Sequence, residues 1–341
     1  MKHFIKNIFS IQKSSYFTIY TVLGVKIKYS SKFNKLNRRI DELHQQLQAY
    51  EYMQNFFVDI EKLPKAKGTL RKFQQIQATF LNILHIALKK HDLPYWVDFG
   101  TLLGTVRHQG FIPWDDDLDI SMLREDYTRF PEIFEKEIAP HGFSIRLDSA
   151  IKIFWELEDN KKFFLCDVYP YDTYFKVLNN NEERKQLDHK NRQCYNEFLK
   201  IFNLNESRKF FNKYTQHNFD KIQEQIRSLR NKIVLEGKKE ISHGDIFTGA
   251  EILPYGHSNN FSFNTIFPLN ELYFEGKKVS VPNHFDTYLT TLYGDYWQLP
   301  KNSARNHLTE AMDLKEKTKG LDLDILLQNI QLIEKEINTK S

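Results

Sequence analysis

Between Ile112 and Ile120 the sequence reads IPWDDDLDI, which crowds Asp115, Asp116, Asp117 and Asp119 between residues that favour burial. In an extended strand, side chains at i and i+2 share a face, so Asp117 and Asp119 project together while Leu118 and Ile120 turn into a core. Two unpaired carboxylates side by side raise each other's pKa, and a divalent cation between them removes that penalty. Hard oxygen donors suit Mg²⁺ or Mn²⁺ rather than zinc, and Mg²⁺ takes one or two protein carboxylates together with waters and substrate phosphates. The plainer alternative is a solvated acidic turn, which fits poorly between Trp114 and an apolar strand.

Two other stretches suit phosphate chemistry. FGTLLG puts Gly100 at a strand end and opens a helix, so the backbone N–H groups at Gly100 and Thr101 and the helix dipole face whatever lies there. Arg107, further along that helix, is read either as a planar fork for a phosphate or as an ion-pair partner of Asp115 and Asp116. In FFLCDVYPYD the strand period places Phe163, Leu165, Asp167 and Tyr169 on one face. Asp167 is then a third carboxylate: a metal ligand, the base that takes a proton from an acceptor hydroxyl, or the partner of a buried Arg or Lys. Trp114, Trp155, Tyr169, Tyr171 and Trp297 are read either as a box for a quaternary ammonium group or as core.

The elements that must position these groups follow from periodicity. Phe73, Ile76, Phe80, Ile83, Leu84, Ala87 and Leu88 recur at helical spacing. YWVDF (95–99) reads as a strand, and TLLGTVRH as a helix capped by Asp98 or Thr101 with Gly110 just past its end. DLDISML (117–123) is a strand, and REDYTRFPEIFEKEIA is a helix interrupted or restarted at Pro131. FSIRLD, IKIFWELE and FFLCDVY give three more strands. Residues 182–237 are charged and helical with a break near Asn203–Asn205. Residues 241–312 read as loop-rich with a helix at 283–293, and 321–338 as a terminal amphipathic helix. The fold class is therefore α/β (α+β), a mixed sheet flanked by helices.

Composition bounds the rest. The 341 residues are 41% hydrophobic and 27% charged, enough for a substantial core. A formal net charge of +4 is too mild for a dedicated nucleic-acid binder. The two cysteines, Cys166 and Cys194, make neither a disulfide framework nor a four-thiolate zinc site, which suits a reducing, cytoplasmic setting. Residues 1–32 form a basic arm without the apolar core of a signal peptide; Lys2, Lys6, Lys13, Lys26 and Lys28 interleave with Phe4, Ile5, Ile8 and Phe9. The arm suits either an anionic membrane surface or a small β-hairpin packed on the body. Within 33–62, Phe33, Leu36, Ile40, Leu43, Leu47 and Tyr50 mark a heptad seam, read as an amphipathic helix or as a homodimer zipper through 33–50. LPKAKG (63–68) reads as a linker.

The block YWVDFGTLLGTVRHQGFIPWDDDLDISMLREDYTRF resembles the LicD/fukutin-like phosphotransferase family. The likeness continues at CDVYPYD and at FPLNELYFEGKKVSVPNHFDTYLTTLYGDYWQLP. It implies a nucleotidyltransferase-like catalytic domain over 70–312, with the 182–237 segment as a helical insertion. It implies metal binding by Asp117, Asp119 and Asp167, an outer contact from Asp115, and substrate contacts from Gly100, Thr101, Arg107 and Trp114. It also places Arg305 and His307 near a phosphate or the acceptor. The implied reaction is Mg²⁺-dependent transfer of a phospho-alcohol from a CDP-activated donor, CDP-choline foremost, releasing CMP. The implied acceptor is a sugar hydroxyl of a cell-surface glycan such as lipopolysaccharide, capsule or teichoic acid. Ribitol-, glycerol- or ethanolamine-phosphate transfer, nucleotidyl transfer with release of pyrophosphate, and a membrane-associated scaffold remain as alternatives. The arm's likeness to leader segments of bacterial surface-polysaccharide enzymes suggests the cytoplasmic face of the inner membrane.

Overall fold

The computed structural model describes residues 9–13, 17–22, 25–30, 36–46, 48–49, 58–147, 150–201, 216–250, 253, 259–299, 314 and 318–340. The chain divides into two compact units, Met1–Asp59 and Ile60–Ser341. In the first, strands β1 (Phe9–Lys13), β2 (Phe17–Val22) and β3 (Val25–Ser30) form an antiparallel meander. Residues 36–46 are helical, and Leu36, Ile40 and Leu43 of the heptad seam are exposed. The other seam positions, Phe33, Leu47 and Tyr50, lie outside the described residues.

In the second unit the described elements run α1 (Gly68–Lys90), β4 (Trp96–Val97), α2 (Phe99–His108), β5 (Asp119–Leu123), α3 (Arg124–Glu137), β6 (Phe143–Leu147), β7 (Ile151–Glu156) and β8 (Lys162–Thr173). They continue with α4 (Asn181–Ile201), α5 (Gln216–Leu229), β9 (Ile246–Thr248), β10 (Asn260–Phe261), α6 (Phe263–Ile266), β11 (Asn270–Phe274), β12 (Lys277–Val281), α7 (Phe285–Tyr293) and α8 (Leu323–Lys340). The mixed α+β class expected from the sequence is the class observed. Two readings change: Pro131 sits inside an unbroken α3, and 270–281 is a hairpin rather than loop.

Strand β8 organises the main sheet. One edge pairs in parallel with β5; the other pairs antiparallel with β7 along its first half and with β9 at its end. Ile120, Met122, Cys166 and Val168 alternate onto the face covered by α1 and α3, and Asp119, Ser121, Asp167, Tyr169 and Tyr171 onto the other. A register shift opposite Ile153 and Phe154 interrupts the alternation. Phe163 therefore stacks on Phe73 of α1, with centroids 4.5 Å apart, and does not share the face of Asp167 as strict period two would have it.

The short β4 ends because Asp98 leaves the sheet to cap α2. Its carboxyl group is fully buried and gathers donors from four elements: the Phe99 N–H at 2.7 Å, the Ser121 hydroxyl of β5 at 2.6 Å, the Tyr171 hydroxyl of β8 at 3.1 Å and the Tyr288 hydroxyl of α7 at 2.9 Å. On the opposite face Asp172 of β8 receives both Nε and Nη2 of Arg124 at 2.9 Å, and Arg230 from the π-helical turn after α5. At the β11–β12 turn, Glu275 receives two donors of Arg71, at 2.8 and 2.7 Å, and Lys65 at 2.7 Å.

Removing a carboxyl group that four buried donors converge on strands all of them, so Asp98→Ala is expected to cost about 3–5 kcal/mol, against about 1–2 for Tyr288→Phe. Urea unfolding of the two variants measures the difference. Burial raises the Asp172 carboxyl, but Arg124 and Arg230 outweigh it and hold the group at about 2. Burial likewise raises Glu275, and Arg71 and Lys65 bring it to about 2. Depressed carboxyl groups stabilise above their ordinary values of 3.8 and 4.5 and lose that contribution as the pH falls toward 2. Stability of the wild type should thus decline between about pH 5 and pH 2, and Asp172→Asn should flatten that slope in denaturation measured across the range.

Candidate active site

The acidic loop is shaped from behind by α1. Gln74 and Gln77 lie one turn apart within its apolar stripe and are buried. Gln74 Nε2 donates to the Asp115 carbonyl at 2.8 Å, and Gln77 Nε2 to the Asp116 carbonyl at 3.1 Å. From the side, α2 fixes the strand entry: the Thr101 hydroxyl accepts the Asp119 N–H at 2.9 Å, and the Thr105 hydroxyl donates to the Thr101 carbonyl at 2.6 Å. Thr101 thus orients Asp119. Phe99, the first residue of α2, adopts a left-handed φ of 42°, an uncommon conformation that its bond to Asp98 and edge-on contact with Tyr169 hold in place.

At Gly100 a Cβ would come within 2.7 Å of Asp115 Oδ2. The glycine is needed because a carboxylate already lies over the helix start, where the peptide dipoles favour it. The left-handed residue that ends α2 is Gln109, with φ 50°, and not Gly110; a Cβ at Gly110 would collide with Glu275.

Register brings the two predicted strand acids together. Asp119 pairs with Asp167 across β5 and β8, and Asp167 pairs in turn with Lys152 of β7, so the three form one row on one face. Asp117 precedes β5 rather than lying within it. Burial pushes the Asp119 carboxyl well above the usual range, and the charges of Asp117, Asp167, Asp115 and Asp98 push the same way. The Cys166 thiol is raised by burial and then by Asp119, Asp167 and Asp117. The Tyr293 hydroxyl is also pushed up, by burial first and then by Asp98, Asp119, Asp115 and Asp117, although the residue as a whole is 40% exposed.

Asp167 carries its own cation. Lys152 Nζ lies 2.7 and 2.8 Å from its two oxygens, and the Tyr169 hydroxyl donates to Oδ2 at 3.3 Å. Of the sequence readings of Asp167, the partnership with a buried basic residue is the one in place. Among the described residues no three His, Cys, Asp or Glu side chains are gathered as a ready ligand set. A hard cation fits nonetheless. The donors are all carboxylate oxygens, the charged form of Asp119 is disfavoured by burial and then by its acidic neighbours, and Mg²⁺ needs only one or two protein carboxylates when phosphates complete its shell.

Other expectations meet different surroundings. Arg107 is buried and its Nη1 donates to the Tyr296 carbonyl at 3.2 Å, while Nε and Nη2 have no hydrogen-bond partner among the described residues. Burial brings its pKa down to about 10, and the ion pair with Asp115 and Asp116 is not formed. Trp114 is half-buried against the core. Trp155 lies in the core beside Phe143, and Tyr171 is engaged by Asp98, so neither lines an ammonium box. Trp297 is exposed. Arg305 and His307 lie outside the described residues. Lys152, Tyr293, Gln74 and Gln77 were not singled out from sequence; two glutamines inside an apolar helical stripe were the one available signal.

Residues 92–166 match the family model described as LicD/FKTN/FKRP, nucleotidyltransferase domain. That span holds Asp98, Gly100, Thr101, Asp115, Asp117, Asp119 and Lys152, and ends one residue before Asp167. The chain is similar to the lipopolysaccharide cholinephosphotransferase LicD of Haemophilus influenzae, with 26% identity over 270 residues, covering 72% of this chain and 98% of that protein. It is also similar to the uncharacterized proteins RT0683 of Rickettsia typhi and RP689 of Rickettsia prowazekii. The first is 37% identical over 102 residues, covering 27% of this chain and 33% of that protein. The second is 36% identical over 102 residues, covering 26% and 36%. The segment that carries most of the acidic row thus matches the LicD/FKTN/FKRP nucleotidyltransferase domain, and most of the chain is similar to the LicD cholinephosphotransferase.

Proposed function

We propose that this protein is a phosphotransferase that moves a phospho-alcohol, phosphocholine from CDP-choline foremost, onto a sugar hydroxyl of a cell-surface glycan and releases CMP. The observation that carries the reading is the charge-strained row at Asp119 and Asp167, with Asp117 and Asp115 beside it, inside a domain alignable with almost the whole of a lipopolysaccharide cholinephosphotransferase. Asp117 and Asp119 are the residues that would hold Mg²⁺ or Mn²⁺, with Asp115 behind them and Asp167 alongside. Bound there, the cation would neutralise charge on the diphosphate and on the leaving CMP.

The chain's own groups supply the rest. Thr101 and the two glutamines hold the acids so that their separation does not relax. Asp167 would receive the proton of the acceptor hydroxyl as that oxygen attacks the β-phosphorus and the bridging P–O bond to CMP breaks. Arg107 retains N–H groups for an anionic part of a substrate. Among the described residues no helix is long and apolar enough to cross a membrane. The basic first unit supports peripheral attachment at an anionic membrane surface on the cytoplasmic side, and the exposed Leu36, Ile40 and Leu43 support pairing of two copies through that helix.

Incubation with CDP-choline, CDP-ribitol, CDP-glycerol or CDP-ethanolamine, Mg²⁺ and a lipopolysaccharide or oligosaccharide acceptor should release CMP and add the corresponding phospho-alcohol mass. Pyrophosphate in place of CMP would point to nucleotidyl transfer. Asp117→Ala and Asp119→Ala should each lower turnover by about a hundredfold or more, since each ~1.4 kcal/mol of lost stabilisation is a factor of ten. Undiminished turnover in the double variant would end the assignment.

A further inference from the structure

Two buried carboxylates of β8 are compensated in different ways. Asp172 is held by two arginines, whose planar forks make fixed, multiply bonded pairs. Asp167 is held by a single lysine on a neighbouring strand, a point charge on a flexible stem. The Lys152 side chain is 17% exposed, and its ammonium also lies 5.3 Å from the centre of the Phe164 ring. It is therefore largely shielded, with a small part of the side chain reaching solvent. Its row runs Lys152–Asp167–Asp119 across adjacent strands, each ~4.8 Å from the next, so the ammonium group sits at the end of the acidic row rather than outside the site. Permanent neutralisation of Asp167 would be served better by an arginine fork of the kind that holds Asp172; a lysine leaves the partnership exchangeable.

We infer that Lys152 is a substrate-positioning residue that stands in for a cation. In the unliganded protein it compensates Asp167; when an anionic diphosphate and a divalent cation enter, it releases Asp167 and donates to the phosphate oxygens. The inference rests on the phosphotransferase reading above and names the group that receives the donor's diphosphate. The exchange transfers no covalent bond. Asp167 trades an ammonium partner for the entering cation's field, and the ammonium trades a carboxylate for a phosphate.

Two binding measurements test it without turnover. Free Mn²⁺ is followed by electron paramagnetic resonance with the wild-type chain and with Lys152→Met, Lys152→Arg and Asp119→Asn. Removing a cation that competes for the row should tighten Mn²⁺ binding of Lys152→Met by about tenfold, while Lys152→Arg stays near wild type. Calorimetric titration of CDP-choline in saturating Mg²⁺ should show Lys152→Met weakened by about tenfold and Lys152→Arg, whose fork holds Asp167 more firmly, only partly restored. Unchanged Mn²⁺ affinity in Lys152→Met overturns the exchange. Tighter Mn²⁺ with unchanged CDP-choline binding reduces Lys152 to a counter-ion and overturns the phosphate contact. Mn²⁺ binding that is lost in Asp119→Asn but indifferent to Lys152 sinks this inference alone. No Mn²⁺ binding by any of the four proteins sinks the phosphotransferase reading with it.

Discussion

The carboxyl group of Asp98 is the point on which the arrangement turns. A buried acid is costly unless its lone pairs are filled, and here they are filled by groups the site needs held still. Ser121 lies two residues after Asp119 on β5, Tyr171 four after Asp167 on β8, and Tyr288 five before Tyr293 on α7. The Phe99 N–H fixes the start of α2, whose Thr101 then aims Asp119. One side chain thus sets the mutual position of two strands and two helices. The strained Phe99 backbone is tolerated because these bonds over-determine it.

Much of this was legible because it is local. Period two marked β5, β6, β7 and β8, period 3.6 marked α1, α2 and α8, and the acids between Trp114 and a strand announced a charge problem needing an answer. What stayed hidden depends on pairing distant in sequence. Nothing in IKIFWE reveals that Lys152 meets Asp167, because the β7–β8 register decides it. A bulge changes which of Phe163 and Phe164 faces Asp167, and single-strand alternation is blind to it. Gly110 looked like the helix stop, but Gln109 takes the left-handed turn and Gly110 makes room for Glu275, a residue of a hairpin unseen in a Gly- and Asn-rich stretch. Tyr171 was legible as aromatic but not as a donor to Asp98, since that needs β4 and β8 on the same face.

The same contrast decides between the two readings of the aromatics, in favour of core for Trp155 and Tyr171. Trp155, Tyr171, Phe261 and Tyr288 build the core around the site rather than a ligand box; Phe261 and Tyr288 stack at 4.1 Å. Tyrosines in this core have a double use: the ring fills volume and the hydroxyl satisfies a buried acid. Apolar and polar demands are met by one residue type, which sequence patterning reads only as hydrophobic.

Charge at the front of α2 closes the account. A helix start offers about half a positive charge to an incoming anion. Asp115 already lies over Gly100, so that attraction is largely consumed before any diphosphate arrives. Beyond it the anion meets Asp117, Asp119 and Asp167, with Lys152 the one ammonium in the row. The start of α2 and the acidic row are thus not electrostatically independent here. The helix start is already occupied by Asp115, and the positive charge of the row is that of Lys152.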